Sequence, residues 1–141
     1  MSLIMQITCN IRIWRQYINE DVLLFFDKHS KALALYEILM ERVFKLFPDT
    51  VIRVSKTQIS LKNKYIYGCI SFLRIKKKEL PDDYFVLTIG LPFPLKTQRT
   101  IIITEPYPGR YTNHILISDI SDLDDELFSW IALAYDFSNS K

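Results

Sequence analysis

Two short polar strings hold the residues of this 141-residue chain that could do chemistry. The first is Lys56, Thr57, Gln58 and Ser60; the second is Arg110, Thr112 and His114. Residues two apart on a strand share a face, so Arg110, Thr112 and His114 line up, as do Gln58 and Ser60. If the two strings are neighbours on one face, they form a cationic, donor-rich surface. Arg grips an oxyanion with its planar fork, and Lys adds a point charge. Such a surface accepts a phosphate or carboxylate, with Lys56 and Arg110 holding the anion and Gln58, Ser60, Thr112 and His114 orienting it. His114 titrates near neutrality and can also act as a general acid or base. A plainer reading competes: the wet face of an antiparallel sheet is built from the same residue types. Cross-strand polar pairs there stabilise the sheet by about 0.2–1 kcal/mol each, with no function attached.

Other chemistries find less support. Gly68, Gly90 and Gly109 are isolated, so there is no Gly-rich phosphate loop, and no Gly-x-Ser-x-Gly elbow is present. Cys9, Cys69, His29 and His114 lack paired ligand spacing, so neither a metal site nor a cofactor is expected. Two unpaired thiols suit a reducing cytoplasm. The acids from Asp119 to Glu126 sit where a helix should start, and there they favour the macrodipole. No apolar run approaches the roughly 20 residues of a membrane span. The opening lacks the pattern of a signal peptide; Met-Ser-Leu reads as a cloning remnant, with Met5 as an alternative start.

Charge adds one alternative. The net charge of +2 does not by itself demand nucleic acid. Yet Arg53, Lys56, Lys62, Lys64, Arg74, Lys76, Lys77 and Lys78 follow one another with no acid between them. Tyr65, Tyr67 and Phe72 interleave with these cations, as stacking platforms do. Residues 53–78 are therefore either a solvated hairpin or a nucleic-acid-binding one.

The elements that must position these residues are legible from periodicity. Residues 1–18 read as an N-terminal extension, a short strand or a draped segment. Asn19 is placed to cap a short helix. Residues 30–47 carry Ala32, Leu35, Tyr36, Leu39, Met40, Val43 and Phe47 at helical spacing, with Ser30 as cap and Pro48 as stop. From Val51 the period becomes two, predicting a strand over 51–63 with room for a kink near Lys56, a hairpin tip at Asn63-Lys64 and a return strand over 65–75. Ile66, Ile70 and Phe72 should share one face of the return strand, with Tyr67 and Cys69 on the other. Residues 84–92 are apolar on both faces and suit a central strand. Strands over 100–105 and 110–118 follow, joined at Pro106–Gly109. A last helix, capped by Ser121, buries Leu123, Leu127, Trp130, Ile131, Ala134 and Phe137. The pattern predicts a two-layer α+β domain over 19–141, with about five mainly antiparallel strands in a meander and helices on one face.

Several of these segments, in this order, resemble a small bacterial α+β family of domains of unknown function. They are "HSKALALYEILMERV", "VIRVSKTQIS", "YFVLTIGL", "EPYPGRYTNH" and "DLDDELFSWIALAYDF", and they cover roughly residues 19–138. The Lys-Thr-Gln-Ile-Ser string and the Arg-aromatic-Thr-x-His string are the more specific parts. The resemblance implies a domain boundary after the first 18 residues and singles out the same two polar strings. It implies no activity. The family's second string usually carries adjacent histidines; this chain has Asn113 before His114, which counts against a two-histidine metal site.

The reading that best fits all of this is a ligand- or anion-binding or accessory module in the cytoplasm, meeting a small anionic ligand or a partner protein. Its site would be Lys56, Thr57, Gln58, Ser60, Arg110, Thr112 and His114. A hydrolase or transferase using His114 as general base is the enzymatic alternative, and a nucleic-acid-binding module using hairpin 53–78 is the third.

Overall fold

A computed structural model describes residues 18–73 and 81–140. Apart from Ile18, the expected N-terminal extension lies outside the described residues, as do Cys9, Arg74 and the Lys76–Lys78 run. The order is α1 (Glu20–Phe25), α2 (Ser30–Leu46), β1 (Val51–Val54), β2 (Gln58–Lys62), β3 (Ile66–Ser71), β4 (Phe85–Leu91), β5 (Thr100–Tyr107), β6 (Arg110–Ile117), a 3-10 turn (Ile120–Asp122) and α3 (Asp125–Asn139). This is an α+β chain with an antiparallel sheet.

The sheet has six strands, in the order β1-β2-β3-β4-β6-β5. The sixth arises because the run from Val51 folds back on itself. Ser55 N–H donates to the Gln58 carbonyl (2.9 Å), and Ser55 Oγ accepts from the Gln58 (3.2 Å) and Thr57 (3.4 Å) N–H groups. That serine-braced turn splits the expected strand into β1 and β2 and lifts Lys56 and Thr57 out of the ladder. The meander also breaks at β6, which lies between β4 and β5. The long apolar run of β4 is central, as its two-sided hydrophobicity requires, with β3 on one side and β6 on the other.

One face of the sheet meets the helices. Ile59, Leu61, Ile70, Phe85, Leu87, Ile89, Leu91, Ile115 and Ile117 form the core with Leu35, Tyr36, Leu39, Met40 and Val43 of α2. Leu127, Phe128, Trp130, Ile131 and Ala134 of α3 complete it. Each such side chain, fully removed from water, contributes about 1.5–3 kcal/mol. A register shift at Leu61/Lys62 upsets the alternation expected for β3. Tyr67 therefore turns into the core, where its hydroxyl lies 2.8 Å from Thr50 Oγ1, while Ile66 is left exposed.

The helix ends depart from the sequence reading in an instructive way. Asn19 caps α1 as expected, its Oδ1 accepting from the Val22 N–H at 3.0 Å. Ser30 does not cap α2. Its cap position is His29, which offers no side-chain bond; Asp83 supplies one from the far side of the chain, accepting from the Ala32 N–H at 3.0 Å. Likewise Ser121 falls in the 3-10 turn, and the cap of α3 is Asp124, which accepts from the Leu127 N–H at 2.9 Å.

Candidate functional site

The face of the sheet opposite the helices is where the two polar strings meet. Ladder partners that stand directly opposite share a face. The pairings run Arg53–Ser60–Cys69–Thr88–His114–Ile102 across all six strands. A parallel row runs Gln58–Ser71–Val86–Leu116, and a third runs Gly90–Thr112–Thr104. Gln58, Ser60, Arg110, Thr112 and His114 therefore all lie on this second face. Lys56 and Thr57 edge it from the β1–β2 turn. The face is not uniformly wet: Val86 is fully buried there and Ser60 is 4% exposed.

A cavity of about 520 Å³ opens on it, with Lys56, Thr57, Gln58, Cys69, Ser71, Thr88 and His114 on its polar side. Phe25, Phe72 and Leu73 form the apolar side. The aromatic wall is rigid, since Phe25 stacks on Phe72 (5.0 Å) and His29 stacks on the same ring (4.1 Å). His29 is fixed in turn by Asp83, whose Oδ1 is 2.8 Å from its Nδ1.

Within the cavity the polar groups are ordered. His114 Nδ1 lies 2.8 Å from Thr88 Oγ1. With Nδ1 so engaged, Nε2 is the ring atom that can meet a ligand. Burial disfavours the imidazolium and lowers the His114 pKa below its ordinary 6.5, so at neutral pH the ring is uncharged. Gln58 Nε2 donates to Ser60 Oγ at 3.0 Å. Burial raises the Cys69 pKa, and a hydrogen bond from Ser60 and the nearby Arg110 charge offset this only in part. Cys69 is therefore a thiol here, poorly suited to nucleophilic attack.

Arg110 and Thr112 lie further along β6 and line a separate groove of about 610 Å³ with Lys62, Lys64 and Tyr107. The Arg110 side chain reaches across β4 over Gly90. A Cβ on Gly90 would stand 3.0 Å from Nη2 and 3.2 Å from Cζ, so the glycine leaves room for the guanidinium to lie against the strand. The site foreseen as one patch is thus divided, with Lys56 and His114 at one cavity and Arg110 at the next.

Asn113, the neighbour of His114, points the other way and is fully buried. Its Oδ1 accepts from the Leu95 N–H at 2.8 Å, and its Nδ2 donates to the Tyr111 carbonyl at 3.3 Å. Adjacent strand residues project from opposite faces, so side chains at 113 and 114 straddle the sheet. Residue 113 is a brace for the β4–β5 connection, whatever its partner does. Among the described residues, no three His, Cys, Asp or Glu side chains gather as a metal site would need, and no helix is long and apolar enough to cross a membrane.

Sequence reasoning assigned Lys56, Thr57, Gln58 and His114 to the site but not Phe25, Cys69, Ser71, Phe72, Leu73 or Thr88. Ser71 and Thr88 carried a signal, since both alternate with core residues on strands that flank the strings. Phe25 carried none, because only the placement of α1 beside the β1–β2 turn brings it there.

A family model described as a domain of unknown function (DUF5655) matches residues 24–138. No curated protein and no solved structure matches the chain.

Proposed function

We propose that this chain, which belongs to the DUF5655 family of domains of unknown function, is a binding module that takes a small anionic ligand into the cavity beside His114. The observation that carries the reading is convergence: two strings more than fifty residues apart deliver Lys56, Thr57, Gln58 and His114 to one cavity. Lys56, exposed at the rim, supplies the charge. Thr57, Gln58, Ser71, Thr88 and the neutral His114 supply hydrogen bonds. The stacked Phe25–Phe72 wall suits a ligand with a flat apolar part attached to its phosphate or carboxylate.

Binding is favoured over general-base chemistry by the state of the lining groups. Burial keeps Cys69 protonated, and Thr88 is the hydroxyl that meets His114, through Nδ1. A hydroxyl–imidazole pair works as nucleophile and base when a third group orients the ring, and among the described residues the hydrogen bond recorded for His114 is the one to Thr88.

Titration of the isotope-labelled protein with phenyl phosphate, followed by amide and imidazole chemical shifts, tests the proposal. Shifts should concentrate at Lys56, Thr57, Gln58, Ser71, Thr88 and His114. Inorganic phosphate should bind more weakly, lacking the ring. Lys56→Ala should weaken binding about tenfold, as loss of a charge-assisted contact does. Shifts that scatter over the helix face, or an affinity unmoved by both Lys56→Ala and His114→Gln, would falsify the reading.

A further inference from the structure

We propose that the groove between the β2–β3 and β5–β6 turns is a second site, one that binds single-stranded nucleic acid. Its walls come from two hairpin tips brought to one end of the sheet. Lys62, Lys64 and Tyr65 come from the first tip, and Tyr107, Arg110 and Thr112 from the second. The cations there differ from several on the helix side. On the helix side Arg42 pairs with Asp125, Lys45 with Glu41 and Arg99 with Asp124. Among the described residues Lys62, Lys64 and Arg110 make no salt bridge; Lys64 and Arg110 instead lie 5.7 Å and 5.9 Å from the ring centres of Tyr65 and Tyr107.

Large apolar groups stand exposed among these charges: Tyr65 is 39%, Ile66 41% and Tyr107 52% exposed. A folded chain keeps such rings in water at a cost, and cations spaced along a groove between flat rings match a backbone of phosphates with bases between them. The ligand class follows from the rings. Bases of a single strand can stack on tyrosine faces, whereas a duplex hides its base faces and would offer only phosphates. Lys62 and Lys64 therefore reach this ligand only in company with the second hairpin, through Tyr107 and Arg110.

The test uses the whole chain and a short fluorescein-labelled single-stranded DNA of mixed sequence, with binding read by fluorescence anisotropy over a range of salt. Three cations predict a log–log salt slope of about −2, because each neutralised phosphate contributes about −0.7 for single strands. Arg110→Ala and Lys64→Ala should each flatten the slope by about 0.7. Arg110→Lys should restore it. Tyr107→Ala should weaken binding about tenfold at every salt concentration and leave the slope alone, which separates stacking from charge. Circular dichroism confirms that each variant is folded. The proposal fails if no binding is seen at low salt with about 10⁻⁴ M protein, the weak end of non-specific affinity. It also fails if a duplex binds as well as the single strand, if polyglutamate competes as well as unlabelled DNA, or if Lys45→Ala on the helix face costs as much as Lys64→Ala.

Discussion

Burial at His114 decides what that side chain can be. The unfolded chain keeps the ordinary pKa of 6.5, while the folded chain holds the imidazole below it. Between those two values the unfolded state binds more protons, so stability rises with pH across that window. The contribution of the neutral ring is complete above about 6.5 and is lost as pH falls toward the folded value. Imidazole resonances of His114 should thus titrate below 6.5, and urea unfolding should show wild type losing stability from that pH downward, with His114→Gln flattening this limb. A His114 midpoint at or above 6.5 would remove the neutral donor from the binding scheme. Alternation placed Arg110, Thr112 and His114 on one face directly from their spacing. The sequence did not show that Arg110 would turn away over Gly90, because that depends on a glycine outside both strings and on the mutual register of β4 and β6. Nor did it show that Asn113 ties down Leu95, a bond between residues 18 apart.

At the scale of elements, the long amphipathic helix, the two-sided β4 and the Asn63 turn were legible, since each follows from local periodicity or local turn chemistry. The break between β1 and β2 was legible only as a kink near Lys56, because the Ser55–Gln58 turn contains neither Gly nor Pro and is held by a serine hydroxyl. The cap of α2 was misread for a related reason. A Ser at the right place is a common cap, but tertiary contacts can supply a stronger one. Asp83 is the case in point: one carboxylate serves the Ala32 N–H and His29 at once. Burial works to raise its pKa, yet the Ala32 and His29 bonds outweigh that and hold it below 3.8. A carboxylate held low stabilises the fold above its unfolded pKa, and that stability is lost as pH falls through the folded value. Asp83→Ala should cost about 1–2 kcal/mol in urea unfolding at neutral pH, the usual loss for a helix cap. It should also release His29 and loosen the Phe72 wall, seen as exchange broadening of the Phe72 ring resonances. A variant as stable as wild type, with Phe72 unchanged, would mean that α2 needs no cap from the loop.

At the scale of the whole molecule, some cations are tied down by several partners and others are not. Arg99 shows the helix-side pattern: Nη1 meets Asp124 at 3.0 Å, Nη2 donates to the Asp122 carbonyl, and the guanidinium covers the Trp130 ring at 5.2 Å. It fastens the β4–β5 connection to the start of α3, and its side chain is only 20% exposed. Lys62 and Lys64, at the far end of the second face, make no salt bridge among the described residues. Charges held together without partners repel, and surface sites kept for a ligand often cost the fold a little stability. The two groups should therefore respond oppositely to neutralisation. Arg99→Ala should destabilise by about 2–3 kcal/mol, because it strands the Asp124 and Asp122 acceptors and uncovers Trp130. Lys62→Gln with Lys64→Gln should leave stability unchanged or raise it by up to about 0.5 kcal/mol at low salt, as expected for exposed surface changes. Added salt should erase even that gain, since screening at 0.1 M acts over about 10 Å. Urea unfolding at low and high salt reads both. If the double lysine variant instead loses more than about 1 kcal/mol, those lysines hold the fold together, and a ligand is no longer needed to explain why, among the described residues, they stand beside Tyr65 and Tyr107 without a carboxylate partner.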